Sequence, residues 1–239
     1  MAPALAPTIA PDRAPVNHAQ SSDHALRSDS NDALRLAPEL AALIPGGCLR
    51  PGGTVEVSAG VGHLSVLLRL LSEPTARGAW AAVIGLPSIN AHAAVECGVA
   101  IERLALIPDP GTSWLDVTAA LLDAVDLVVL NPPHECRPSD ARRLLARARQ
   151  RRSVLILIDG GGNRGPRNRP PRRLWPEPAD ILFTPLHSQW WGVEQGRGCL
   201  TQATISVGTS GRRLNGPARR GRLQIGHPSM ASPLLAGER

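Results

Sequence analysis

The feature that most constrains the fold is a regular alternation of short apolar segments with longer segments of helical pattern between residues 54 and 158. The apolar segments are as long as strands and almost continuously hydrophobic, as is typical of strands covered on both faces of a sheet. Such alternation is characteristic of doubly wound folds, in which right-handed crossovers give a parallel sheet. We therefore predict an α/β fold, a mostly parallel sheet with helices on both faces, with strands at 54–57, 80–84, 104–107, 127–130 and 154–158 and helices at 64–71, 91–97, 114–122 and 139–149.

The flanking segments predict the limits of a single domain at 34–225. Residues 1–33 are rich in Ala, Pro, Ser and Asp and lack apolar periodicity, which predicts a disordered tail. A short helix at 34–44 is predicted to open the domain and to stop before Pro45. The other predicted segments are a Gly-, Pro- and Arg-rich loop at 160–178, β-like runs at 180–185, 200–207 and 222–225 that form an antiparallel hairpin extension, and a disordered tail at 226–239.

All 26 basic residues of the 239-residue chain are arginine, so any mechanism that needs a lysine ammonium is excluded. The charge is uneven, because residues 1–141 carry 8 arginines and 15 acidic residues, whereas residues 142–239 carry 18 arginines and 5 acidic residues. The second part is therefore a candidate face for nucleic acid or an acidic partner, with a solvated arginine surface as the alternative. Four scattered cysteines and the absence of a long apolar run predict reduced thiols in a cytoplasmic protein.

The first predicted strand runs into a Gly-rich turn, VSAGVGHLS at 57–65. A turn of this kind between a strand and a helix can present backbone N–H groups to an anion. A P-loop would have Lys and then Ser or Thr after its last Gly, whereas His63 follows Gly62 here and Ser65 comes one place too late. Gly60 and Gly62 also form only part of a dinucleotide fingerprint. The turn is predicted either to be a degenerate nucleotide site or simply to pack the helix on the sheet.

A second motif, Asn131 followed by two prolines, ends the fourth predicted strand and resembles the signature of base-amino methyltransferases. In that family an aromatic residue follows the second Pro and stacks on a flipped base, while the Asn helps to hold the exocyclic amine. The stretch 56–62 also resembles that family's first cofactor motif. His134 occupies the aromatic position here, and no acidic residue ends the second strand. An S-adenosylmethionine-dependent nucleic-acid base methyltransferase is therefore the alternative function.

The same landmarks resemble a degenerate RecA-type core. The stretch 51–57 resembles the strand that enters a RecA P-loop, and 126–131 resembles a Walker B strand with Asn131 in place of the Mg²⁺-linked Asp. More specifically, the chain is similar to ImuA-type proteins, which are RecA-like accessory factors of mutagenic translesion synthesis, in their actinobacterial form. The likeness covers about residues 40–225 and is carried by GAWAAVIGLP at 78–87, ECGVAIERLALIPDPG at 96–111, Trp114, AALLD at 119–123 and the Trp-Gly segment at 190–200.

This resemblance implies a RecA-like domain that acts without chemistry of its own and without a cofactor, because family members generally lose the same phosphate- and Mg²⁺-binding groups. The implied partners are an ImuB-type Y-family-like protein and an error-prone DNA polymerase III alpha-type polymerase, with DNA as a further candidate partner. A role in the SOS response to DNA damage and a cytoplasmic, nucleoid-associated location follow from the same likeness. The degenerate nucleotide-binding turn then comprises Gly60, Gly62, His63, Ser65 and Asn131.

Arginine and tryptophan side chains provide the remaining candidate contacts. Arginines of the 160–178 loop could bind phosphates or could belong to a solvated linker. They are Arg164, Arg167, Arg169, Arg172 and Arg173. A second cluster, with the same two interpretations, is Arg212, Arg213, Arg219, Arg220 and Arg222. Trp175, Trp190 and Trp191 could stack on bases or anchor a partner, although packing is expected for Trp190 or Trp191, and a strand there would point one of the two outward.

Overall fold

An eight-stranded sheet forms the centre of the protein. A computed structural model describes residues 33–159, 174–194, 197–214 and 218–226. The strands are β1 (Leu34–Arg35), β2 (Cys48–Leu49), β3 (Thr54–Ser58), β4 (Ala81–Ile84), β5 (Leu104–Ile107), β6 (Leu127–Leu130), β7 (Val154–Asp159), β8 (Ile181–Glu194), β9 (Arg197–Ser210) and β10 (Arg219–Ile225). The helices are α1 (Pro38–Ala41), α2 (His63–Ala76), α3 (Ala91–Glu96), α4 (Trp114–Ala124) and α5 (Pro138–Arg151).

The strand order of the sheet is β10-β9-β8-β3-β7-β6-β4-β5. The six strands from β8 to β5 are parallel, while β9 and β10 are added in antiparallel fashion. The predicted α/β architecture, a mostly parallel sheet with helices on both faces and an antiparallel hairpin extension at its C-terminal end, is confirmed. The first strand of the alternation, β3, therefore lies between β7 and β8, and β7 separates it from the Asn131 strand β6.

Helices cover the two faces of the sheet unequally. On one face α1, α2 and α3 pack against strand residues such as Val57 and Ile156, and this layer reaches β8, β9 and β10 through Phe183, Ile205 and Leu223. On the other face α4 and α5 pack with Trp175 against residues of β4, β6 and β7. Side chains that alternate along one strand thus enter two separate cores, as expected for a strand buried on both faces.

The opening helix predicted at 34–44 is wrong in its extent. Leu34–Arg35 is a strand paired with Cys48–Leu49, and α1 spans only Pro38–Ala41. The reason is Pro38, which suits the first position of a helix but disfavours helical backbone in the residue before it. Ala37 accordingly has φ −54° and ψ 142°, which is an extended conformation.

The last strands are longer than predicted, since β8 and β9 have 14 residues each. Their pairing contains irregularities between Pro185 and His187 and between Trp191 and Val193. Such bulges interrupt the two-residue alternation from which a strand is predicted, so the sequence pattern covers only part of each strand. Within the described residues, no helix has the length and apolar character needed to cross a membrane.

Candidate functional site

The Gly-rich turn after β3 is a closed backbone turn. The N–H of His63 donates to the carbonyl oxygen of Gly60 at 3.2 Å, and the Nδ1 atom of the same His63 donates to that oxygen at 2.7 Å. Gly62, the third residue of the turn, has φ 92° and ψ 1°. These angles match the third position of a type II turn, which requires a positive φ that glycine adopts without a steric cost. One N–H group that a phosphate loop would offer to an anion is therefore used inside the turn.

Hydrocarbon from β9 packs directly against this turn. A Cβ atom on Gly62 would lie 2.9 Å from Cδ1 of Ile205, and Ile205 is fully buried. Ser65 lies in the first turn of α2 and is half-buried. Of the two interpretations of the glycines, the geometry favours a tight turn that lets the helix and the hairpin approach each other closely.

Asn131 follows β6 and ties that strand to the end of β4. Its Nδ2 donates to the carbonyl oxygen of Gly85 at 2.8 Å, and its backbone N–H donates to that of Ile84 at 3.0 Å. Its Oδ1 atom is buried and accepts no hydrogen bond from the described residues. Because β7 lies between β6 and β3, Asn131 and the Gly60–His63 turn are two strand spacings apart, about 10 Å along the sheet. One strand therefore lies between Asn131 and the other four residues of the predicted site.

The strand order also bears on the methyltransferase alternative. A Rossmann-type order places the first strand beside the fourth, which brings a Gly-rich turn next to the end of that fourth strand. Here the fourth strand of the series, β6, has β7 and β4 as neighbours. His134, in the position of the stacking aromatic residue, accepts a hydrogen bond at its Nε2 from Nε1 of Trp114 at 3.2 Å and packs edge-on against that indole. Neither observation supports a base-binding site at Asn131.

The tip of the β8–β9 hairpin exposes both tryptophans. Trp190 is 40% exposed and Trp191 is 44% exposed. The expectation of core burial for one of them is therefore wrong. The pairing of β3 with β8 ends at Phe183, and the pairing of β10 with β9 ends at Ala203, which is opposite Trp190. Beyond that point, among the residues that the structure describes, the hairpin consists of two strands only.

The other candidate side chains fall into three groups. Trp175 is buried in the core beneath α4 and α5, where it packs instead of facing a ligand. Leu186 on β8 is 49% exposed, and sequence reasoning missed it because an apolar residue in a strand is ordinarily expected to be buried. The predicted arginines of the loop lie outside the described residues; they are Arg164, Arg167, Arg169, Arg172 and Arg173.

Comparison with known proteins identifies the family. The family described as MT3502 N-terminal domain matches residues 42–162, which is half of the chain. The chain belongs to this family. The match begins within the segment after α1 and ends just after β7, so it includes the Gly-rich turn and Asn131 but not β8, β9 or β10.

The chain is also similar in sequence to a mycobacterial protein. The chain is 44% identical over 120 residues to the uncharacterised protein Rv3395c of Mycobacterium tuberculosis strain H37Rv. That match covers 49% of this chain and 58% of the relative, so the chain spans rather more than half of the relative's length.

Two solved structures show a more distant likeness. SulA from Pseudomonas aeruginosa has 22% identity and a TM-score of 0.38, and the match covers 44% of this chain and 95% of that one. The flagellar accessory protein FlaH from Methanocaldococcus jannaschii has 10% identity and a TM-score of 0.49, and the match covers 77% of this chain and 89% of that one.

Proposed function

We propose that the chain is an ImuA-type accessory protein of DNA-damage-induced mutagenic translesion synthesis and acts as an adaptor without catalysis. The observation that carries this proposal is the closed Gly60–His63 turn. Its geometry is that of a packing element, and the chain contains no lysine that could bind a phosphate beside it. A RecA-like fold with such a turn suits the binding of partners and not the hydrolysis of a nucleoside triphosphate.

The proposed partners are an ImuB-type Y-family-like protein and an error-prone DNA polymerase III alpha-type polymerase. The exposed tip of the β8–β9 hairpin supports a protein contact, because partly exposed tryptophans are favoured anchors of protein interfaces. The proposed location is the cytoplasm, with association to the nucleoid. Contact of the loop arginines with DNA is a further part of this proposal.

The absence of catalysis is tested by measuring ATP turnover by the full chain with and without single-stranded DNA. We expect no turnover above that of a buffer blank. Robust turnover that is abolished by His63→Ala would overturn the adaptor proposal. Calorimetry with S-adenosylmethionine addresses the alternative function, since micromolar binding that is lost in Asn131→Ala would favour a methyltransferase.

The adaptor role is tested by affinity purification from DNA-damaged cells with mass spectrometry. We expect the ImuB-type protein to co-purify with the wild-type chain and to be depleted with the Trp190→Ala/Trp191→Ala variant. Ile101→Ala is the matched control, because Ile101 is a comparably exposed apolar residue (46%) outside the hairpin. Equal recovery of the partner with all three chains would place the contact elsewhere, and its absence from all three would refute the partner assignment.

A further inference from the structure

A cavity lies at the edge of the sheet opposite the Gly-rich turn, where β3 and β8 begin and β9 ends. Its volume is about 350 Å³, which lies within the range of small-ligand pockets. Three separate parts of the chain form it: the segment before β3, the start of β8 and the turn after β9. Its polar lining includes Cys48, Arg50, Thr54, Asp180, Arg212 and Arg213.

One carboxylate organises two of the arginines in this cavity. Asp180 Oδ1 lies 3.3 Å from Nε of Arg213 and 3.6 Å from a terminal nitrogen of Arg212. The other oxygen of Asp180 accepts the backbone N–H of Thr54 at 3.1 Å. The carboxylate is mostly buried, with 14% of the side chain exposed, whereas both arginine side chains are about half exposed. Arg213 is thus oriented by a fixed acid, whereas Arg212 donates a hydrogen bond to the carbonyl oxygen of Pro178 at 2.7 Å. Both guanidinium groups remain accessible to a ligand.

The positive charge of the cavity is not balanced by its own acid. Two arginines share Asp180, and Arg50, which also lines the cavity, has no ion-pair partner among the residues that the structure describes. The C-terminal end of α5 approaches this edge without lining the cavity, since a Cβ on Gly52 would lie 3.0 Å from Cα of Arg149. An anion entering the cavity would therefore meet an excess of guanidinium groups.

We propose that this cavity binds a phosphate group, and that a nucleic-acid backbone supplies it. Guanidinium groups donate paired hydrogen bonds that match the oxygens of a phosphate, and arginines already oriented by a carboxylate lose less entropy on binding. A free phosphate compound is the other source of the same chemistry. The site is separate from the Gly-rich turn, and it does not rest on the adaptor proposal.

The first test measures binding of a fluorescent single-stranded oligonucleotide to the full chain across a range of salt concentrations. We expect Arg50→Gln/Arg213→Gln to reduce the slope of log affinity against log salt by about 1.4, because each lost phosphate contact on a single strand removes about 0.7. The matched control is Arg137→Gln/Arg142→Gln, which removes two exposed charges at the other end of α5 and should leave the slope closer to that of the wild type. Equal slopes for the two variants would overturn the assignment to a nucleic-acid backbone.

The second test needs no substitution, so it holds even if the arginine variants fold poorly. Cys48 lines the cavity and is half-buried, and its rate of alkylation by neutral iodoacetamide can be followed by peptide mapping. We expect saturating oligonucleotide to suppress this rate. Suppression by pyrophosphate but not by oligonucleotide would assign the cavity to a free phosphate compound. Unchanged alkylation with oligonucleotide, pyrophosphate and inorganic phosphate alike would overturn the proposal.

Discussion

Replacement of Gly62 by alanine should destabilise the domain through two separable effects. A left-handed backbone costs an alanine about 1–2 kcal/mol, and the φ of 92° at this position imposes that cost. The added methyl group would also lie 2.9 Å from Cδ1 of Ile205, and such overpacking typically costs about 1–3 kcal/mol. We expect a total loss of about 2–5 kcal/mol in the free energy of unfolding.

Urea unfolding, followed by the fluorescence of the buried Trp114 and Trp175, measures this loss. With a urea dependence of about 3 kcal/mol per molar, the midpoint should fall by about 0.7–1.7 M. Gly78→Ala is the matched control, since Gly78 has φ 104° and no atom within 4 Å of the added methyl, so it reports the backbone cost alone.

A second variant relieves part of the packing cost. Ile205→Val removes the terminal methyl group that the new side chain at position 62 would meet, and by itself this substitution costs about 0.5–1.5 kcal/mol. We expect the double variant Gly62→Ala/Ile205→Val to be more stable than the sum of the two single effects predicts. If Gly62→Ala is no less stable than Gly78→Ala, the hairpin does not close on the turn and the reasoning fails.

Three further predictions concern side chains away from this turn. Hydrogen bonds from Arg147 hold the pKa of Asp123 below its ordinary value. Asp123 therefore contributes stability that is present above about pH 4 and is lost as the pH falls through its lowered pKa. Asp123→Asn should remove that acid dependence from the free energy of unfolding and should cost about 1 kcal/mol or less at pH 7. Burial raises the pKa of Cys136 to about 11, so peptide mapping at pH 8 should find it alkylated far more slowly than Cys48 until denaturant is added. Asn131→Asp replaces the donor to a backbone carbonyl by a carboxylate oxygen, and thermal unfolding should show a loss of about 1–3 kcal/mol, whereas unchanged stability would contradict the hydrogen bond.

The strands of the central sheet were predictable because their sequence pattern is local. The bounds of β5 and β6 agree with the prediction, since each is a run of apolar residues between polar or turn-forming ones. The order of the strands could not be read from such runs, because it depends on contacts between distant segments. The place of β7 between β3 and β6 is therefore a finding of the structure, and it separates Asn131 from the turn with which the sequence pattern grouped it.

The candidate site shows the same division between local and distant information. That Gly62 serves a tight turn is one of two interpretations open from the sequence, and the contact with Ile205 supports it. The sequence places Arg213 in a basic cluster. Its proximity to Arg50, however, arises only from the folding of β3, β8 and β9 against one another. No local pattern marks a cavity whose walls come from both ends of the domain.

The hairpin strands that lie beyond the family match have a practical consequence for how the protein can be divided. A Cβ on Gly221 of β10 would lie 2.8 Å from Leu43, just after α1, and Phe183 of β8 and Ile205 of β9 belong to the same apolar layer as α2. We expect a fragment truncated at residue 162 to expose that apolar layer along one side and to aggregate instead of folding. The segment that matches the family, residues 42–162, is thus shorter than the smallest part of the chain that we expect to fold independently.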